Sequence, residues 1–204
     1  MMKKRLIRFA TLSLVGLSLG AAIAGLSILL DTKNSASELP LVAPNIGGAF
    51  TLVNQDGKTV TDKDFAGKYL FVYFGFTYCP AICPTELQKM AEAFKGLPKA
   101  WQSRIQPIFI TIDPERDTPD ILKNYVGLFM PELIGLTGTP AQIEAVKKEF
   151  KIYAAKVPED DSYTMDHSSY LYFMGLDGKA SAMYRTSDTS DKIIKQIPTL
   201  DGLD

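Results

Sequence analysis

The sequence predicts an α/β domain, a mixed central sheet flanked by helices, set behind an N-terminal transmembrane anchor. Three observations carry that expectation. Strand-type and helix-type segments alternate through the 204-residue chain and close with a hairpin and a helix. Residues 69–74 and 105–112 are nearly all apolar, as central strands buried on both faces are. Ahead of both lies a long stretch without a single charge.

That stretch comes first in the chain. Lys3, Lys4, Arg5 and Arg8 form a basic cluster, and residues 9–30 carry no charged side chain. At about 1.5 Å per residue such a run reaches about 33 Å, enough for a hydrocarbon core of about 30 Å. Basic residues ahead of it favour a cytoplasmic N-terminus with the rest sent across. The competing reading is a cleavable signal peptide, since Ala22-Ile23-Ala24 has the small-x-small form of a cleavage site. The apolar run continues past that point through Leu26, Ile28, Leu29 and Leu30, which favours an uncleaved anchor. The expected organisation is therefore an anchor at 1–30, a polar and proline-punctuated tether at 31–44, and one domain at 45–204. Net charge is −1, and the first 30 residues hold four basic side chains and no acid, so the remainder carries −5. An acidic domain with no basic stripe is a poor partner for nucleic acid.

Within the domain, residues 50–53 and 59–61 flank Asn54-Gln55-Asp56-Gly57-Lys58, a hairpin signal with Asp-Gly at its turn. The buried strand at 69–74 runs toward a helix over 84–97, where Leu87, Met90, Ala91 and Phe94 fall at helical spacing. The strand at 105–112 ends in Asp113-Pro114. Thr118-Pro119 and Thr139-Pro140 each pair an N-cap with a first-turn proline, opening helices to Leu128 and Phe150 around a short strand at 133–136. A strand at 152–157 leads into a polar loop at 158–166. Residues 170–174 and 180–184 form a second hairpin about Gly175-Leu176-Asp177-Gly178-Lys179, and a last helix opens near Ser190. In thioredoxin-like folds, redox cysteines sit where the first central strand meets its helix. Cys79 and Cys83 fall there.

Those are the only two cysteines, in a C-x3-C pair. With Pro80 as the helix start, the pair lies in a first turn whose N–H groups and dipole favour thiolate. Residues at i and i+4 place Cβ atoms about 5–6 Å apart, close to the roughly 3.5–4.5 Å of a disulfide. Sulfurs roughly 4 Å apart also suit one metal ion at a bond length near 2.3 Å. The spacing permits both uses. Two inert buried thiols are the bland alternative, disfavoured for a proline-bracketed pair in an exported domain.

His167 is the only histidine and stands in Met165-Asp166-His167-Ser168-Ser169, just ahead of an apolar strand. A lone histidine is more often structural than a ligand. In a thioredoxin-like sheet, however, this segment lies beside the strand that feeds the cysteine turn. Two thiolates and one imidazole make a set suited to Cu(I), with nitrogen making Cu(II) tolerable. Structural zinc usually takes four protein ligands, and no further cysteine or histidine exists. Asp113 ends a buried strand at the same sheet edge and is placed to orient His167 or tune the cysteine turn. Asp117 reads as part of a turn and helix cap. Tyr73, Phe74, Phe76 and Tyr78 read as core and site wall, and Met165 is the one methionine near the histidine.

Three blocks together, Gly75-Phe76-Thr77-Tyr78-Cys79-Pro80-Ala81-Ile82-Cys83-Pro84, Thr111-Ile112-Asp113-Pro114-Glu115-Arg116-Asp117-Thr118-Pro119 and Asp166-His167-Ser168, resemble the Sco/SenC family of copper proteins. The similarity covers roughly residues 44–198. It implies a thioredoxin-like domain tethered to the inner membrane by a single pass, facing the periplasm, or the intermembrane space in a mitochondrion. It implies copper held by Cys79, Cys83 and His167. It also implies a metallochaperone role in building the binuclear copper centre of cytochrome c oxidase subunit II, by copper transfer, by reduction of the acceptor's cysteines, or both. Other copper chaperones or thiol reductants are the further partners expected.

Two enzymes are rival readings. Cys83-Pro84-Thr85-Glu86 echoes a peroxiredoxin's reactive segment, but Pro80 stands where that family has threonine. A thiol-disulfide oxidoreductase acting outside the cytoplasm would normally carry C-x2-C and has no use for His167.

Overall fold

The computed structural model describes residues 45–200, which belong to a unit spanning Pro40–Asp204. The expected anchor and tether lie outside the described residues, and among the described residues no helix is long and apolar enough to cross a membrane.

The nine strands are β1 (Thr51–Asn54), β2 (Thr59–Thr61), β3 (Tyr69–Gly75), β4 (Ile105–Thr111), β5 (Ile134–Thr137), β6 (Ala154–Glu159), β7 (Ser162–His167), β8 (Tyr170–Met174) and β9 (Ala180–Arg185). Seven of them form one mixed sheet in the order β2-β1-β5-β4-β3-β8-β9. The continuous apolar text of β3 is explained by this position, for every one of its residues is buried. β3 and β4 are parallel and paired from Tyr69↔Ile105 to Gly75↔Thr111. Both therefore release their chains at the same edge. β8 runs antiparallel to β3, with Tyr73 opposite Leu171, so the segment entering β8 arrives at that edge too. Register alone brings the cysteine turn, the Asp113 turn and His167 together.

The helices are α1 (Ile82–Gly96), the single turn α2 (Lys99–Gln102), α3 (Pro119–Val126), α4 (Pro140–Phe150) and α5 (Ser190–Gln196). α1 turns Cys83, Leu87, Met90, Ala91 and Phe94 inward. Full burial of Leu87 or Phe94 is worth roughly 1.5–3 kcal/mol each, which fixes the face that α1 presents and with it the aim of Cys83. The two proline-opened helices start as expected. Thr118 Oγ1 accepts from Ile121 N at 3.4 Å, and Thr139 forms a reciprocal capping box with Gln142.

Two expectations need correction. α1 starts at Ile82 with Ala81 as N-cap, so Cys79 and Pro80 stand in the loop before it rather than in its first turn. The strand expected at 152–157 is β6, but the stretch read as a polar loop at 158–166 holds the end of β6 and most of β7, and the two pair antiparallel from Ala154↔His167 to Glu159↔Ser162 in a separate two-stranded sheet. An isolated hairpin of this kind is marginal in water. Ties to the loop after β4 hold this one. Tyr163 Oη donates to Asp113 Oδ1 at 2.8 Å, and an Arg116 guanidinium nitrogen donates to the Tyr163 carbonyl at 2.8 Å. The guanidinium also lies 3.8 Å from the centre of the Tyr163 ring, and Lys156 reaches Glu115 at 2.6 Å.

Candidate metal centre

Cys83 is the best-buried of the three predicted ligands, at zero exposure, and Cys79 is nearly as enclosed at 7%. The sequence makes room for the Cys83 sulfur by leaving out a side chain. A Cβ on Gly75 would fall 2.8 Å from Cys83 Sγ and 3.0 Å from Tyr73 Cε1. The loop ahead of α1 folds back so that Cys83 N–H donates to Cys79 Sγ at 3.4 Å. Both thiols are free.

His167, half-buried at the end of β7, sets its Nε2 3.6 Å from Cys83 Sγ. Its Nδ1 lies 2.8 Å from the Ser168 carbonyl, an atom that only accepts, so Nδ1 carries the proton and Nε2 presents a lone pair to the sulfur. The edges of Tyr73 and Phe76 pack on the imidazole, at centroid distances of 6.4 and 5.9 Å. Residues 84 positions apart in sequence thus share one enclosed pocket.

The two sulfurs are electrically unequal. A hydrogen bond from the Cys83 thiol, with help from the N–H groups of Cys83 and Ala81, pulls the Cys79 thiol down to about 4. The same contact and complete burial push the Cys83 thiol up. One negative charge is therefore held on Cys79, the sulfur nearer to solvent, at neutral pH.

Asp113 is placed differently from the expectation. Its buried carboxylate is bonded to Arg116 and Tyr163, and no hydrogen bond joins it to His167, whose Nδ1 is taken by Ser168. Asp113 acts on the histidine only through the hairpin that Tyr163 belongs to. Asp117 is not a helix cap, since Thr118 fills that role. Its fully buried carboxylate instead accepts from Thr77 N at 3.0 Å, from Thr77 Oγ1 at 2.6 Å and from Thr111 Oγ1, fastening the cysteine loop to the end of β4. Burial raises the Asp117 carboxyl against those bonds. Met165 lines a cleft with Ile112, Pro140 and Lys147.

Tyr73, read from the sequence as core and site wall, is both: its hydroxyl lies 3.7 Å from Cys83 Sγ, a contact the sequence reading did not name. The available signal was Gly75, a glycine closing an apolar strand two residues on, which marks a close approach.

Comparison with known proteins settles the family. The family model described as SCO1/SenC matches residues 40–200. The chain belongs to the SCO1/SenC family. Among its relatives, the human mitochondrial SCO1 homolog is 36% identical over 187 residues, covering 88% of this chain and 62% of that one. The chain spans about half to two thirds of the length of the fission yeast, human and Arabidopsis thaliana Sco relatives that it matches. The structure of Arabidopsis thaliana ScoI with copper bound superposes with a TM-score of 0.72 at 40% identity, covering 76% of this chain and 97% of that one. BsSco, described as having a disulfide switch and as a member of the Sco family of cytochrome c oxidase assembly proteins, superposes at 0.62 with 31% identity, covering 80% and 99%. The fold is the thioredoxin-like α/β fold of these Sco structures, with its mixed central sheet.

The Sco-type pocket has donors of the right kind for a soft ion: two sulfurs, one of them held as thiolate, and an imidazole nitrogen with a free lone pair. Among the described residues no three Cys, His, Asp or Glu side chains stand ready-spaced around an ion. The sulfurs and the imidazole meet pairwise, through hydrogen bonds that an ion would take the place of.

Proposed function

We propose that this protein carries copper, as Cu(I) and Cu(II), on Cys79, Cys83 and His167, and delivers it during cytochrome c oxidase assembly to the binuclear centre of subunit II. The observation that carries this reading is the 3.6 Å approach of the His167 Nε2 lone pair to Cys83 Sγ in a SCO1/SenC chain. Thiolates hold Cu(I), and the imidazole accommodates Cu(II). A membrane tether built from the apolar run at 9–30, with the domain in the periplasm or intermembrane space, completes the proposal.

One observation favours a second activity at the same sulfurs. A thiolate on Cys79 beside a free Cys83 is the arrangement of a thiol reductant. Closing the Cys79–Cys83 disulfide releases two electrons and the Cys83 proton; with one further proton from water these convert an acceptor's disulfide into two thiols and ready it for metal.

Copper titration of the reduced protein, followed by absorption, tests the reading. The expected result is thiolate-to-Cu(II) charge-transfer bands that vanish in Cys79→Ser and Cys83→Ser and are lost in His167→Ala. An unchanged spectrum and affinity in His167→Ala would refute the three-ligand site and leave the thiol reductant.

A further inference from the structure

Tyr73 is fully buried in the middle of the sheet, yet its hydroxyl faces the chemistry rather than the core. Its ring edge and Cys83 Sγ are pressed together over Gly75, where even a methyl group would collide with both. The oxygen stands 3.7 Å from Cys83 Sγ, within reach for a bond to sulfur. A phenol has one proton and can spend it on one acceptor. Here that acceptor is Cys83 Sγ. The same ring packs edge-on against His167. Two of the three proposed ligands, from two different elements, therefore rest on one side chain of β3.

We propose that Tyr73 is a positioning residue for this site: its hydroxyl holds Cys83 Sγ by a hydrogen bond and sets how strongly that sulfur donates electrons. A buried sulfur has no water to supply such a bond, so the phenol is its substitute solvent. Hydrogen bonding to a ligand sulfur lowers the energy of its lone pairs and so tunes a thiolate–copper bond. The bond also favours the reduced dithiol, because a disulfide sulfur is the weaker acceptor. The copper part of this inference rests on the function proposed above; the thiol part stands without it.

Tyr73→Phe removes one oxygen and keeps the ring that packs on His167 and Phe109. The first measurement uses the metal-free full-length protein at equilibrium with reduced and oxidised glutathione, where protein dithiol plus one glutathione disulfide gives protein disulfide plus two glutathione thiols. The expected shift is about fivefold toward the protein disulfide, the size of one neutral hydrogen bond. The second measurement is the thiolate-to-Cu(II) band, which moves to longer wavelength in Tyr73→Phe. A merely structural tyrosine would alter thermal stability and leave both the equilibrium and the band in place. That result, in a Tyr73→Phe protein with native circular dichroism, overturns the proposal. Failure of the wild-type protein to bind copper would overturn the copper reading alone, since the glutathione equilibrium still reads the Tyr73 bond.

Discussion

Replacing Gly75 with alanine puts a methyl group where Cys83 Sγ, Tyr73 Cε1 and Phe109 Cε2 already stand, at 2.8, 3.0 and 3.1 Å. Favourable carbon contacts begin at about 3.5 Å, so all three neighbours must retreat by several tenths of an ångström. None has an easy way out. Each is buried, and they belong to α1, β3 and β4, which are packed against one another. Overpacking of this kind costs about 1–3 kcal/mol. Alanine recovers about 0.5–1 kcal/mol over glycine through lower chain entropy in a strand, leaving a net loss of about 1 kcal/mol at the middle of these ranges and at most about 2.5 kcal/mol. For a domain of this size, at about 2–4 °C per kcal/mol, the melting temperature should fall by about 2–4 °C, and by at most about 10 °C. Thermal unfolding followed by circular dichroism measures it directly. The variant should also weaken copper binding, because the sulfur that gives way is a proposed ligand. An unchanged or raised melting temperature would refute the reasoning, for it would mean that the pocket beneath Cys83 has slack.

Two further outcomes follow from the electrostatics and from the hairpin. Because the Cys79 thiol is held down at about 4, the reduced, metal-free protein should carry one thiolate at neutral pH and lose its thiolate absorbance as pH falls through about 4. A midpoint near the ordinary thiol value of 9.0 would contradict the pairing of the two sulfurs. Tyr163→Phe takes a hydrogen bond from the buried Asp113 carboxylate and should loosen β7. Amide exchange across Ser162–His167 should quicken about tenfold, equivalent to about 1.4 kcal/mol, with β3 unchanged. Equal protection of β7 in the variant would show that the hairpin stands without that tie.

Much of this fold was legible because local chemistry and global position agree. The Asp-Gly and Gly175–Lys179 turns, the Thr-Pro helix starts and the two unbroken apolar strands each name their own structure, and the sheet uses them as named. β6 was legible in part, as a strand at 152–157, but β7 and its pairing were not, for a physical reason. The two strands contain Lys156, Pro158, Glu159 and Asp166 and bury little, so no sustained alternation marks them. What ties the hairpin down is Arg116 and Asp113, some 50 residues away. Asp117 was misread likewise: a Asp just before Thr-Pro looks like a cap, and only the folded chain brings Thr77 to it. For the site, residue types and spacing proposed Cys79, Cys83 and His167, and register at one sheet edge brings them together. Tyr73 was legible as core and site wall, but its hydrogen bond to Cys83 was not, because the text of a buried strand does not tell which way a hydroxyl points.

The bond from Cys83 N–H to Cys79 Sγ has a mechanical side. Ala81, at the N-cap of α1, has no side chain to close the helix, and Pro84 at the third position has no N–H to be closed. The Cys83 amide is left as the donor in most need of a partner, and a sulfur from the preceding loop supplies it. The atom that performs chemistry is thus also the clasp of the helix. Whenever Cys79 turns its lone pairs to an ion or to the other sulfur, that clasp slackens, at a cost on the order of 1 kcal/mol typical of a lost cap. In the function proposed above, loading or oxidation of Cys79 would therefore also loosen the first turn of α1.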